Sequence, residues 1–298
     1  MEILTQNEFD VLVYIEDKKE KKEIFKKFNN IDRVLNKLLN LGFILDQNQE
    51  WTVTNKGYNF LNPYKVKRAV LLAAGLGSRM NPVTLETPKP LVNVNGTIII
   101  ESLLDALIEK EINDITIVTG YLGDQFSIIA EKYPNIKFFH NDKFNEENNI
   151  SSAMLVKELY AGAYVMDADL LLMNRDIIRK YEFQSNYLGI YVKETDDWRL
   201  EITNGKVTNM LCGGKDTYLM VGLSYWSEKD GERFSHDIEK LYSTTNGKQK
   251  YWDDVVLTEF NEHYDIYVRE CRREDIVEID AFKELVAIDS SYERYIEG

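Results

Sequence analysis

Residues 70–91, VLLAAGLGSRMNPVTLETPKPL, set two glycines, one arginine, one lysine and three prolines directly after an apolar run. Gly75 and Gly77 stand just past the carboxyl end of that run, the edge of a parallel sheet where ligands bind. Glycines there let the backbone come close to a ligand, and their N–H groups can hold phosphate oxygens. Arg79 and Lys89 add two cations within reach of a triphosphate. The spacing matches neither GxGxxG nor GxxxxGK(S/T), so it supports neither a dinucleotide fingerprint nor a P-loop. A strand-to-helix turn also takes glycine for packing alone, and the neighbouring elements decide between the two uses.

Those elements alternate. RAVLLAAG reads as a strand, IIIESLLDALIEKEI as an amphipathic helix, NDITIVTGY as a strand, GDQFSIIAEKY as a helix and NIKFFHN as a strand. AGAYVMDADLLLM and NYLGIYVK continue the sheet. Such alternation predicts an α/β fold whose mostly parallel sheet is covered on both faces, with the glycine loop at its carboxyl edge.

Residues 1–64 follow a different pattern. Phe9, Leu12, Val13 and Ile15 mark one helical face, and Ile24, Phe25 and Phe28 mark a second. Ile31, Val34, Leu35, Leu38 and Leu39 give a third, which Gly42 ends as a C-cap. Phe43-Ile44-Leu45, the polar turn Asp46-Gln47-Asn48-Gln49 and Trp51-Thr52-Val53 predict a β-hairpin, and Thr54 caps a last short helix. Three helices and a hairpin resemble a winged helix-turn-helix domain. Its third helix offers Asn29, Asn30, Arg33, Asn36 and Lys37 against Asp32, while KKEKKEIFKK, from Lys18 to Lys27, precedes it. Interspersed acids make that run a solvated face. A packing or partner-binding module is favoured over a DNA-binding one. The boundary falls at Asn62-Pro63-Tyr64-Lys65, which leaves residues 65–298 as the second domain.

Composition narrows the partners. The 298 residues carry a formal charge of −14, which opposes non-specific contact with nucleic acid or anionic lipid. No apolar run approaches the ~18 residues of a membrane span, and the acidic start, Met1-Glu2-Ile3-Leu4-Thr5, lacks a signal-peptide core. Cys212 and Cys271 are too few and too far apart for a disulfide framework or a CxxC metal site. A soluble, reduced, cytoplasmic protein is expected.

Taken whole, LAAGLGSRMNPVTLETPKPLV resembles the signature of the sugar-nucleotide and choline-type nucleotidyltransferases, LAAGxG(S/T)RxxPxTxxxPK. The likeness continues in order through INDITIVTGYLGDQF, NDKFNEENNISSAMLVKEL, YVMDADLLL, VGLSYW, YWDDVV and VEIDAFKEL. Together these are most similar to the bacterial CTP:phosphocholine cytidylyltransferases, over residues 67 to about 290. The winged-helix part lies outside the likeness.

The resemblance implies a Rossmann-like nucleotidyltransferase domain with a mostly parallel mixed sheet. It implies transfer of CMP from CTP to phosphocholine or a close amino-phosphate or phosphonate, with release of pyrophosphate. Such chemistry needs charge neutralisation and in-line positioning more than a protein nucleophile. Asp169, at the end of the strand AYVMDADLLL, and Asp280, ending DIVEID, are the implied Mg²⁺ ligands, with Asp167, which alternation places on the same strand face, as the alternative to Asp169. Arg79 and Lys89 fall to the triphosphate, Lys89 near the α-phosphate. Leu72, Ala73, Ala74, Gly75 and Gly77 would approach the nucleotide through backbone, with Gly120, Asn149 and Ser152 nearby. For Asn149 and Ser152 the alternative is N-capping of the helix that follows. The cationic end of the acceptor would meet aromatic faces and acids, namely Trp198, Tyr251, Trp252 and Asp254. Trp226 reads as core. The competing functions are a hexose-1-phosphate nucleotidyltransferase and a nucleotide-sensing DNA-binding regulator.

Overall fold

The computed structural model describes residues 4–17, 20–47 and 50–296. Met1-Glu2-Ile3 of the acidic start, Lys18 and Lys19 of the basic run and Asn48-Gln49 of the expected hairpin turn lie outside them. The chain divides into two compact units, residues 1–65 with 181–183, and residues 66–180 with 184–298.

The small unit runs α1 (Gln6–Glu16), α2 (Lys21–Lys27), α3 (Ile31–Asn40), β1 (Ile44–Gln47), β2 (Glu50–Val53) and α4 (Asn55–Leu61). Thr5 opens α1 with a capping box: its hydroxyl accepts from the Glu8 N–H, and the Glu8 carboxylate accepts from the Thr5 N–H at 2.8 Å. Gly42 follows α3 at φ +68°, a left-handed turn that costs glycine nothing. Strands β1 and β2 pair antiparallel, from Ile44 opposite Val53 to Gln47 opposite Glu50. Phe9, Leu12, Val34, Leu38, Ile44 and Leu61 fill the core, and Tyr181 joins them from far along the chain. Phe25, expected to face inward, is instead 48% exposed, its ring tilted against that of Trp51. The short α2 buries only Ile24.

The large unit carries β3 (Arg68–Ala73), β4 (Asn93–Val94), β5 (Thr97–Ile98), α5 (Ile99–Glu109), β6 (Asp114–Thr119), α6 (Ser127–Lys132), β7 (Lys137–His140), α7 (Ile150–Leu155), β8 (Ala163–Asp167) and β9 (Leu170–Leu172). There follow β10 (Asn186–Thr203), β11 (Lys206–Trp226), α8 (Glu228–Tyr242), α9 (Trp252–Asp254), β12 (Tyr267–Cys271), β13 (Ile276–Glu278) and α10 (Phe282–Ile288). Its seven-stranded sheet has the order β12-β10-β11-β8-β3-β6-β7. Only β11 runs against the others, so the sheet is mixed and mostly parallel. Alternate residues of β3 enter opposite cores: Ala69 and Leu71 face one, Val70 and Leu72 the other. Both faces are apolar because both are covered.

Strands β10 and β11 form a long antiparallel hairpin through Thr203 and Lys206. Its turn places Asn204 at φ 52° and Gly205 at φ 80°, the positive dihedrals that suit an Asn-Gly pair between twisted strands. Among the described residues no helix is long and apolar enough to cross a membrane.

Candidate active site

The first strand, β3, ends at Ala73, and the chain then bends through the glycine loop instead of entering a helix directly. Leu72, Ala73, Ala74, Gly75, Gly77, Arg79 and Lys89 line one cleft of about 510 Å³, joined by Asn149, Ser152, Asp169, Tyr251 and Asp280. Gly77 sits at φ +61°, and a Cβ there would lie 3.1 Å from that of Lys89. The dihedral favours glycine, and a side chain there would press against Lys89 and Thr84. A Cβ at Gly75 would meet no protein atom within 4 Å, so its missing side chain leaves room on the cleft side. The Thr84 hydroxyl pins the loop through the Gly77 carbonyl at 2.8 Å and Asn81 Oδ1 at 2.9 Å. Buried Met80 roots it in a cluster with Val83, Ile279 and Leu285.

Gly120 does not line the cleft. A Cβ there would strike Phe144 Cβ at 2.7 Å and the Ala74 carbonyl at 2.8 Å, so the residue is glycine to let two loops touch. Asn149 occupies the N-cap position of α7 without capping it; its Oδ1 accepts from the Trp252 N–H at 2.9 Å. Ser152 accepts from Asn141 Nδ2 at 2.9 Å.

Lys89 is buried, and its ammonium lies 2.6 Å from Asp169 Oδ2 and 2.9 Å from Asp280 Oδ1. Arg79, which is far more exposed, reaches the same Asp280 oxygen at 2.8 Å. Burial pulls the Lys89 ammonium down, but Asp169 and Asp280 more than offset it and hold it above its usual value. Asp169 does not end a strand; it sits in the turn between β8 and β9, while Asp167 closes β8. The two therefore do not alternate along one strand face, and Asp167 is packed over Gly222 of β11. Burial, then the Asp169 charge, push the Asp167 carboxyl well above the carboxylate range, which suits a protonated wall better than a cation ligand. Glu278, absent from the expected set, is the third acid of the cluster: carboxylate oxygens of Asp169, Glu278 and Asp280 lie within 4.8 Å of one another. Apolar-acid alternation in Val277-Glu278-Ile279-Asp280 carried that signal, since it sets Glu278 and Asp280 on one side of an extended segment.

The aromatic assignments divide. Trp252 is 3% exposed, and its ring packs among Tyr160, Tyr187, Trp226 and Phe234 at centroid distances of 5.7–6.2 Å. It is a core residue, like Trp226, and cannot present a face to a ligand. Trp198 lies exposed on β10, and its partner is Tyr251, edge to face at 6.0 Å. Asp254 spends its carboxylate on the Tyr251 N–H at 2.9 Å, shaping the turn into α9. Beside Trp198, Asp197 lines a second hollow of about 390 Å³ together with Arg273, Glu278 and Asp280. Asp280 borders both spaces.

Asp253 is buried beneath this edge and accepts from the Tyr187 hydroxyl at 2.8 Å. Burial raises its carboxyl from 3.8 to about 7, against the lowering effect of Tyr187. A group raised on folding contributes stability that is complete below its unfolded value and is lost as pH climbs through its folded one. Asp253→Asn, which cannot ionise, is therefore expected to gain melting temperature relative to the parent at pH 8 and to gain much less at pH 5. Equal differences at the two pH values would show that Asp253 does not titrate with folding.

A glycine loop and two cations facing a pair of carboxylates are the equipment of a nucleotidyltransferase, and the Nucleotidyl transferase family profile matches residues 68–207. The chain is 39% identical over 228 residues to a 2-aminoethylphosphonate cytidylyltransferase of Lancefieldella rimae, covering 75% of this chain and 92% of that one. It is 37% identical over 219 residues to a choline-phosphate cytidylyltransferase of Streptococcus pneumoniae, covering 73% and 94%. A solved structure of the CTP:phosphocholine cytidylyltransferase of S. pneumoniae superposes with a TM-score of 0.70 at 36% identity, over 75% of this chain and 98% of that one. The chain belongs to the cytidylyltransferase family that these proteins represent.

Proposed function

We propose that the protein transfers CMP from CTP to a small phosphate or phosphonate bearing a cationic amine, phosphocholine and 2-aminoethylphosphonate being two of the acceptor types named among its relatives. The proposal rests on one juxtaposition: Lys89 stands between Asp169 and Asp280 at the end of a glycine-lined cleft. Tyr251 lines that cleft, with Trp198 edge to face against its ring. An acceptor oxygen attacks the α-phosphorus; the new O–P bond forms as the bond to the β-phosphate bridge breaks, and pyrophosphate carries the electron pair away. Lys89 and Arg79 hold the charge that develops on the phosphoryl oxygens. The glycine loop approaches the nucleotide through its N–H groups, and the two rings face the amine.

The acid cluster fits Mg²⁺. Asp169 Oδ1 is buried without a hydrogen-bond partner, and hard carboxylate oxygens with a free lone pair are what this ion takes. Asp169 and Asp280 would hold it, and when bound it would neutralise phosphate charge.

We read the small unit as a winged-helix packing or partner module. Lys21, Lys22 and Lys37 are paired with Asp46, Glu20 and Glu8 at 3.1, 2.6 and 2.8 Å. Cations already neutralised at home favour this over a nucleic-acid surface.

Pyrophosphate release across four nucleoside triphosphates and a panel of acceptors tests the function. Release is expected with CTP plus phosphocholine, phosphoethanolamine or 2-aminoethylphosphonate. Release confined to UTP or dTTP with hexose 1-phosphates would overturn the reading.

A further inference from the structure

Lys89 occupies an unusual position for a residue meant to serve a phosphate. Its ammonium bridges the facing oxygens of Asp169 and Asp280, the two carboxylates assigned above to the divalent cation. Its side chain is 8% exposed, against 71% for Arg79. The base of that side chain is held, because Lys89 Cβ packs closely against Gly77. Only the flexible end of the stem is free to change partners.

We propose that Lys89 is a placeholder for the divalent cation, and that the cation enters together with the triphosphate as Lys89 passes from the carboxylates to the phosphoryl oxygens. This rests on the metal assignment of the proposed function. An ammonium hydrogen-bonded to one oxygen of each carboxylate repels a divalent ion that would approach the remaining oxygen of Asp169. Lys89 and Arg79 together already neutralise Asp169 and Asp280, so a cation arriving alone gains little and must displace a buried charge into a poorly solvated cleft. A triphosphate changes that balance, since it offers the ammonium a stronger acceptor and brings charge that the incoming cation offsets. The handover loads the cation only when there is substrate to act on. It also delivers Lys89 to the phosphate in the same event.

Manganese binding, followed by electron paramagnetic resonance, tests this without turnover. The parent protein is expected to bind Mn²⁺ weakly alone and at least tenfold more tightly with saturating α,β-methylene-CTP. Lys89→Met, which keeps the stem and loses the charge, is expected to bind Mn²⁺ alone at least tenfold more tightly than the parent. The analogue should then improve its affinity by a clearly smaller factor than in the parent, since only the attraction of the phosphates remains. Lys89→Arg keeps a resident cation and should behave as the parent does; its near-ultraviolet circular dichroism and that of Lys89→Met report whether each is folded. Should the parent respond to the analogue while folded Lys89→Met binds Mn²⁺ alone no better than the parent, the placeholder role is wrong and the metal assignment stands. If neither protein binds Mn²⁺ even with the analogue, the metal assignment itself fails, and the placeholder with it.

Discussion

Asp169→Asn is expected to lower turnover with CTP at least a thousandfold while leaving the protein folded and able to bind CTP. One oxygen of Asp169 holds the Lys89 ammonium at 2.6 Å, and the other is buried with no partner. An amide keeps the shape but loses the charge that organises Lys89 and would bind Mg²⁺. A thousandfold is roughly 4 kcal/mol of barrier, the scale on which charge stabilisation at a reacting centre acts. Because Asp169 sits in a turn and its side chain is 24% exposed, the substitution leaves no core cavity, and its melting temperature should stay near that of the parent. Steady-state pyrophosphate release and calorimetric binding of a CTP analogue separate the effects. Turnover within about threefold of the parent, under ~1 kcal/mol, would remove Asp169 from the mechanism.

The cleft was legible in the sequence where the chain is locally constrained. Leu72 to Gly77, Arg79 and Lys89 follow one another along a single stretch from the end of β3, so naming that stretch names one wall. Residues brought together from distant segments were legible only through likeness to a family. Asp280 lies 111 positions beyond Asp169, and no periodicity connects them. Glu278 had a local signal in the alternation of VEID, as did the β10–β11 hairpin in the Asn204-Gly205 pair between alternating apolar residues. Burial was the harder quantity. WDDVV and DDWRL look alike as tryptophan beside paired acids, yet the first begins a helix against the aromatic core and the second lies on an exposed strand. Adjacent acids do not keep a tryptophan at the surface. Asp253 goes inside with Trp252, and it is tolerated there through the Tyr187 hydroxyl and its raised affinity for a proton.

That contrast between the two tryptophans sets the second large effect, Trp252→Ala. Its ring touches four other aromatics in a core without exposed faces, so truncation leaves a cavity and should cost about 3–5 kcal/mol of stability. For a unit of this size the melting temperature should fall by roughly 10 °C. Activity measured well below that transition should be lost only in so far as α9 shifts, since Trp252 is buried and is not among the residues that line the cleft. Trp198→Ala reverses the signature. Exposed on its strand, it should leave the melting temperature within a degree or two. Its loss should raise the Michaelis constant for a cationic acceptor by a few-fold to about thirtyfold, or about 0.5–2 kcal/mol, the range of a cation–π contact. CTP affinity should not change, because the glycine loop and Lys89 lie elsewhere in the cleft. A stable Trp252→Ala with weakened acceptor binding would mean that α9 opens in solution and that the ring takes part in recognition after all. Unchanged acceptor use in Trp198→Ala would leave Tyr251 and the Asp197 carboxylate, to which a primary ammonium can donate its three N–H bonds, to hold the amine.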